Sequence, residues 1–167
     1  NSVFGVGASH TPDYSLAITP YTDACSTCVP QSSATQKLDS LGDRLMHRVA
    51  FRALNGGIQT AVLNHTVDAD GSGASTRTGV RWYEVRRNSV SGVWTLNQQS
   101  TYAPGTTEYR WMASIATDQA GNIALGYSAS NGTQYPAIRY TGRLFTDTLS
   151  TLPQTEVTMT VSAGAQT

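Results

Sequence analysis

An internal repeat constrains this chain more than any other feature of its sequence. Residues 44–52 (RLMHRVAFR) resemble residues 110–118 (RWMASIATD): each segment begins with Arg, a large apolar residue and Met, and each has Ala at its seventh position. A Gly-containing turn and a second apolar run follow each copy, so that the repeat aligns residues 60–64 with residues 123–127. Repeats of several short strands are typical of propellers and other arrays, in which one unit buries its apolar face against the next.

Turn signals and alternating apolar residues predict four strands in each copy. The Asn-Gly-Gly run at 55–57 predicts a hairpin turn, because Asn and Gly tolerate a positive φ. The Arg-Trp-Tyr run at 81–83 aligns with Arg-Tyr at 139–140, and strict alternation of Val, Met and Val predicts a last strand around 157–161. The predicted strands are residues 46–51, 59–67, 79–85, 92–102, 111–117, 123–129, 135–144 and 154–162.

We therefore predict an all-β protein of antiparallel four-stranded units, propeller-like with two blades, and keep a compact β-sandwich as the alternative. The units lie at about 43–104 and 109–162, within a domain that spans 37–167. Residues 1–36, rich in Pro, Ser, Thr and Gly, are predicted to form an extended arm that lies on a neighbour, with one short strand at 15–19. Two open sheets leave edges and faces exposed, so something must cover them.

The charge balance limits the classes of partner. The chain has 11 basic and 11 acidic residues and no net charge, which argues against nucleic acid or an anionic membrane as the main partner. No run of eighteen apolar residues is present, so the sequence predicts no membrane-spanning helix. The chain starts at Asn1, which we interpret as the sign of a processed or trimmed protein.

Two cysteines, Cys25 and Cys28, stand close together in a loop rich in Ser and Thr. A CxxC pair is found in local disulfides, in zinc sites and in redox motifs. Zinc would need two further ligands, for which only His10, His47 and His65 are candidates, and a redox motif would need a βαβ context. We expect a disulfide that pins the loop, in a protein of an oxidising, extracellular compartment.

Four segments carry a family resemblance: residues 36–46, 79–84, 109–116 and 120–128. They resemble a poorly characterised family of large secreted bacterial proteins, which are similar to sialidase-like β-propellers, and the resemblance covers roughly residues 18 to 156. It implies secretion, and it implies that this stretch lies toward the end of a longer chain. No activity comes with the resemblance.

Sialidase-like chemistry would need an arginine cluster for a substrate carboxylate and a Tyr nucleophile backed by Glu. The repeats supply Arg44, Arg110 and Arg139, and Tyr83 stands next to Glu84. Adjacent residues of a strand point to opposite faces, however, and the Asp-box signature of such propellers is absent. The alternative is that the arginines are structural and pair with carboxylates between the units, for which we name Asp43, Glu84 and Asp118.

Two weaker candidates concern calcium and carbohydrate. Asp68 and Asp70 precede a Gly as in the start of a calcium loop, but Gly79 occupies the place of the bidentate Glu, and the favoured alternative is a plain turn. Exposed aromatic rings could stack on sugars, although in a small β-protein most rings pack in the core. The rings considered are Trp82, Trp94, Trp111, Tyr102, Tyr109, Tyr135 and Tyr140.

We expect a secreted structural or binding module that assembles with other chains or with further copies of itself, and that has no cofactor, with Ca²⁺ as the alternative. The alternative is a sialidase-like glycan-processing enzyme, a glycoside hydrolase or a fragment of one, in which glycan is the ligand. Three guanidiniums facing one open pocket would favour the enzyme, and guanidiniums paired to carboxylates would favour the module.

Overall fold

The computed structural model describes residues 15–73 and 77–166, and their fold is all-β. Strands within residues 45–102 form one antiparallel four-stranded sheet, the first sheet, and strands within residues 109–161 form another, the second sheet, each with its strands in the order of the chain. The predicted class and its four-stranded units are confirmed, and the described sheets do not close a propeller ring. The strands are β1 Thr27–Val29, β2 Leu38–Asp39, β3 Leu45–Ala53, β4 Ile58–Asp68, β5 Thr78–Asn88, β6 Trp94–Tyr102, β7 Tyr109–Thr117, β8 Ile123–Asn131, β9 Gln134–Arg143 and β10 Val157–Val161.

One apolar core lies between the two sheets. Strand β7 runs over β3, β4 and β5, and the Met112 amide donates a hydrogen bond of 3.3 Å to Thr66 Oγ1. The inner faces, which point toward the opposite sheet, meet in a single cluster of buried side chains. The cluster contains Val62, Val80, Trp82, Ala113, Ile115, Ile123, Leu125, Tyr127, Ala129 and Leu152.

The first hairpins of the two sheets give the true alignment of the repeat. The Leu54 amide donates to Ile58 O at 2.7 Å, and the Asp118 amide donates to Asn122 O at 3.0 Å, so both loops have three residues. The first strand pairs beyond the loops are Ala53 with Gln59 and Thr117 with Ile123. Gln59 is therefore equivalent to Ile123, whereas the sequence alignment had placed Thr60 there.

That error of one residue exchanges the two faces of the sheet, because successive strand residues point to opposite sides. With the corrected alignment, Val62 is equivalent to Gly126, and Ala61 is equivalent to Leu125. Val62 and Leu125 nevertheless face each other in the core. The units thus pack head to tail: one face of the first unit meets the opposite face of the second.

Register shifts occur in six of the described strand pairs, and three of them bear on the repeat and on the last strand. The register shifts between Met46 and Ala50 in β3 and between Trp111 and Ser114 in β7, so the first strand of each unit carries an irregularity at a similar place. A third shift, between residues 158 and 160 of β10, breaks the alternation from which that strand was predicted. The expectation that Val157 and Val161 share a face is wrong, since they pair with Tyr140 and Ala137 on opposite faces.

The described part of the N-terminal arm lies on both of the chain's own sheets: residues 19–22 contact the first sheet, and Pro30 O accepts a hydrogen bond of 2.6 Å from Ser130 Oγ of the second. The Thr19 amide donates to Gln99 Oε1 at 3.1 Å, and Thr22 O accepts a bond of 2.9 Å from the Asp68 amide. The strand predicted at 15–19 does not form, and residues 27–29 instead pair with β2. Residues 1–14 of the predicted arm lie outside the described residues. Within 15–73 and 77–166, no helix is long and apolar enough to cross a membrane.

Candidate functional site

The second sheet has charged side chains on its inner face and uncharged ones on its outer face. Arg110 and Arg143 point inward and are 3% and 1% exposed. The outer-face positions of β7 to β10, as far as the structure describes them, carry no charge; we call this surface the uncharged face. Its residues are Trp111, Ser114, Ala116, Ala124, Gly126, Ser128, Ile138, Tyr140, Gly142, Val157 and Thr160.

The uncharged face is open over much of its area. Ile138 and Tyr140 are each 42% exposed and Val157 is 39% exposed, while small residues occupy the middle of the sheet. At one end, a cavity of about 480 Å³ lies between this face and Leu38 of β2, with Trp111 in its lining. Large exposed apolar patches usually mark surfaces that another molecule covers.

The inner face of the second sheet carries a compact ionic network, which we call the Glu156 cluster: Tyr102, Glu108, Arg110, Tyr127, Arg139 and Glu156. Glu156 Oε1 accepts from Arg139 Nη1 at 2.5 Å, and Oε2 accepts from Arg110 Nε at 2.9 Å and from Tyr127 Oη at 2.5 Å. Glu108 Oε2 accepts from both guanidiniums, at 3.1 Å from Arg110 and 2.7 Å from Arg139. Two cations and two carboxylates therefore neutralise one another between the sheets.

The electrostatic environment fixes the protonation of this cluster. Burial alone would raise the pKa of Glu156, but hydrogen bonds from Arg110, Tyr127 and Arg139 outweigh it and lower the pKa to about 2. Burial, together with the hydrogen bond to Glu156, raises the pKa of Tyr127. The carboxylate is thus held ionised and the phenol held neutral, which suits a structural network better than proton transfer near neutral pH.

The lowered pKa of Glu156 predicts an acid-sensitive fold. Its ordinary value is 4.5, so its stabilising contribution is complete above pH 4.5 and is lost as the pH falls from 4.5 to about 2. We expect about 3 kcal/mol of unfolding free energy to disappear over this range. Urea denaturation at a series of pH values measures it. In Glu156→Gln, the decline over this range should be correspondingly shallower; an identical decline in both proteins would contradict the assignment.

The three arginines of the sialidase-like hypothesis do not come together. Arg110 and Arg139 meet in the Glu156 cluster, where carboxylates neutralise both. Arg44 lies elsewhere on the surface and pairs with Asp43 at 2.7 Å, with the two side chains 63% and 68% exposed. Of the carboxylates named from the sequence, Asp43 is thus a partner of one arginine, while Glu156 and Glu108 serve the other two.

Tyr83 and Glu84 point to opposite faces of β5. Tyr83 Oη lies 2.9 Å from His65 Nε2 on the outer face of the first sheet. Glu84 is fully buried on the inner face and accepts from Arg86, at 2.6 Å, and from Thr60, at 2.9 Å. Burial opposes ionisation of Glu84, but its hydrogen bonds, from Gln98 and Arg86 above all, lower its pKa.

The two carboxylates of the calcium hypothesis bind the backbone of their own loop. Asp68 Oδ2 accepts from the Gly73 amide at 2.9 Å, and Asp70 Oδ1 accepts from the Ser72 amide at 3.1 Å. In the part of the chain that the structure describes, no group of three or more His, Cys, Asp or Glu side chains is placed to hold a metal ion.

Cys25 and Cys28 form a disulfide, with their Cα atoms 5.8 Å apart, as the sequence predicted. The bridge closes the loop that leads into β1. Cys28 lies within β1, which pairs with β2, so the bridge fixes the turn at the start of that small antiparallel pair.

Most of the rings considered for sugar binding have packing partners. Trp82 and Trp111 are 0% and 3% exposed, and the Trp94 ring lies edge-on to Phe51 at 6.5 Å. Tyr102 donates to Glu156 Oε2 at 3.3 Å, within the Glu156 cluster. Tyr140, on the uncharged face, is 42% exposed and is the most exposed of these rings. Tyr109 and Tyr135 are half-buried.

Sequence reasoning missed Glu108, Glu156 and His65 as partners of the residues it singled out. Glu108 and Glu156 stand in irregular segments just before β7 and β10, so no periodicity marks them. One signal was available in the sequence. The chain has only 11 acidic residues and few of them lie in the second unit, so those few were the candidate partners of its arginines.

Comparisons with known proteins give no family for this chain: no family model, no curated protein and no solved structure matches it. The geometry of the faces and of the Glu156 cluster therefore carries the functional argument.

Proposed function

We propose that this chain is a structural and binding β-module that assembles with other protein chains or with further copies of itself through the uncharged face. The observation that carries the proposal is the lack of charge on the outer face of the second sheet, which carries the exposed side chains of Ile138, Tyr140 and Val157, while the arginines of the sheet lie on its inner face beside the core. A sheet face that remained in water would normally carry charged side chains.

The contacts of the arginines support a module rather than a glycan-processing enzyme. A sialidase-like site would present free guanidiniums to a substrate carboxylate, whereas Arg110 and Arg139 are each bound to Glu108 and Glu156. The Cys25–Cys28 disulfide supports an extracellular location, because disulfides persist in oxidising compartments.

The experiment compares the wild type with Tyr140→Arg, which places a charge in the uncharged face. We expect the wild type to form particles heavier than 17.8 kDa in light scattering, and the variant to be lighter and more soluble. Val90→Arg, at a loop position that is 94% exposed, is the control and should behave as the wild type. A wild-type monomer of 17.8 kDa whose solubility equals that of Tyr140→Arg would contradict the proposal.

A further inference from the structure

The interface within the chain indicates what fits on the uncharged face. The corrected register makes Ile138 equivalent to Trp82 and Tyr140 equivalent to Glu84. Trp82 and Glu84 are both 0% exposed, because the second unit covers them, whereas Ile138 and Tyr140 are 42% exposed. The uncharged face is therefore the face that the first unit buries against its successor.

The opposite end of the molecule presents the complementary face. By the same register Phe51 is equivalent to Ile115, which is 2% exposed in the core, while Phe51 itself is 58% exposed. Ile18, Tyr21 and Leu45 line one pocket on the same side of the first sheet, and we call the exposed apolar side chains of β3 and of the described arm the arm face. It comprises Ile18, Tyr21, Leu45, Val49 and Phe51, each between 42% and 58% exposed.

We propose that a second copy of this chain docks its arm face on the uncharged face, in the same head-to-tail order in which the two units pack within one chain, with the arm as part of the contact. This deepens the proposed function and rests on it. Because the two surfaces differ, the contact is heterologous and each copy keeps one free face, so growth continues unless a ring closes.

The area of the contact determines how strongly two copies are expected to associate. Four strands at about 4.8 Å spacing and nine residues at about 3.3 Å give a face of roughly 600 Å², or about 1,200 Å² for both partners. That is the lower limit for stable protein interfaces. We therefore expect an association that depends on concentration, rather than a permanent complex.

Two charge variants and their mixture test this geometry. Ile138→Arg blocks the uncharged face, and Phe51→Arg blocks the arm face; both positions are partly exposed, so circular dichroism should find both variants folded. Each variant alone should remain at 17.8 kDa in sedimentation velocity. Their equimolar mixture should form a dimer of twice that mass and no larger species, because it joins one intact arm face to one intact uncharged face. Val90→Arg should associate as the wild type does.

The other outcomes separate the inference from the proposal on which it rests. If Phe51→Arg still associates alone while Ile138→Arg does not, the uncharged face of one copy binds the uncharged face of another. The head-to-tail geometry is then wrong, although the module still assembles. If the wild type associates but the mixture stays monomeric, the pairing of the two faces is wrong. If the wild type is monomeric at every concentration, a second copy is not the occupant, and the comparison with Tyr140→Arg decides the proposed function.

Discussion

Replacement of Glu156 by Gln should lower the unfolding free energy by about 3 kcal/mol, because it leaves two largely buried guanidiniums with one carboxylate between them. The Arg110 side chain is 4% exposed and that of Arg139 is 13% exposed, so water cannot replace the lost charge effectively. Gln keeps the shape of the side chain and Glu108 remains, which places the effect at the lower end of the range for broken buried ion pairs. In a domain of this size, the melting temperature should fall by about 6–12 °C.

The exposed pair of Asp43 and Arg44 supplies the control. Both side chains are mostly in solvent, and an ion pair of that kind contributes little to stability. Asp43→Asn should therefore have the same melting temperature as the wild type in differential scanning calorimetry at low protein concentration. If Glu156→Gln had the same melting temperature as Asp43→Asn, the Glu156 cluster would not be the electrostatic link between the sheets that its geometry indicates.

Truncation of Trp82 to Ala is the second large effect. Trp82 is 0% exposed at the centre of the cluster in which β5 meets the second sheet, and large-to-small changes of this kind cost about 3–5 kcal/mol. Urea denaturation with fluorescence detection measures it. Because removal of one Trp changes the signal, far-ultraviolet circular dichroism should give the same midpoint.

Trp94→Ala is the matched variant, since it removes the same atoms from a half-buried position of β6. Its ring lies edge-on to Phe51, with the ring centroids 6.5 Å apart, and it lies outside the core. We therefore expect the unfolding free energy to fall by at most about 1 kcal/mol. Equal costs for the two truncations would mean that the sheets do not share the core that Trp82 occupies.

The sequence predicted the strands well because their signals are local. Turn residues such as Asn55-Gly56-Gly57 and the apolar runs around them predict β3 and β4 to within a few residues. The opposition of Tyr83 and Glu84 also followed from the sequence, because alternation along a strand needs no knowledge of tertiary contacts. The local disulfide of Cys25 and Cys28 belongs to the same class of prediction.

The faces and the ionic partners could not be predicted in this way. Similarity of residue types aligned Thr60 with Ile123, but the hairpin loops make Gln59 the equivalent residue. A shift of one residue assigns every side chain of the strand to the opposite face of the sheet. The bulge in β10 broke an alternation that looked regular in the sequence. Glu156 meets Arg110 only because the segment before β10 returns between the sheets, and such a contact is set by packing rather than by local pattern.

Oxidation of the methionines tests the central claim most directly, because it reports whether the uncharged face is covered. Met112 borders that face and is 42% exposed in the single chain, whereas Met46 pairs with Asn64 on the other sheet and serves as the reference. Dilute peroxide, with mass spectrometry of the peptides, gives the oxidation rate of each methionine at increasing protein concentration. The account predicts that Met112 becomes protected as the concentration rises, and more strongly than Met46, whose side chain points away from the arm face. A rate at Met112 that does not change with concentration would contradict the assembly of the chain with copies of itself through the uncharged face.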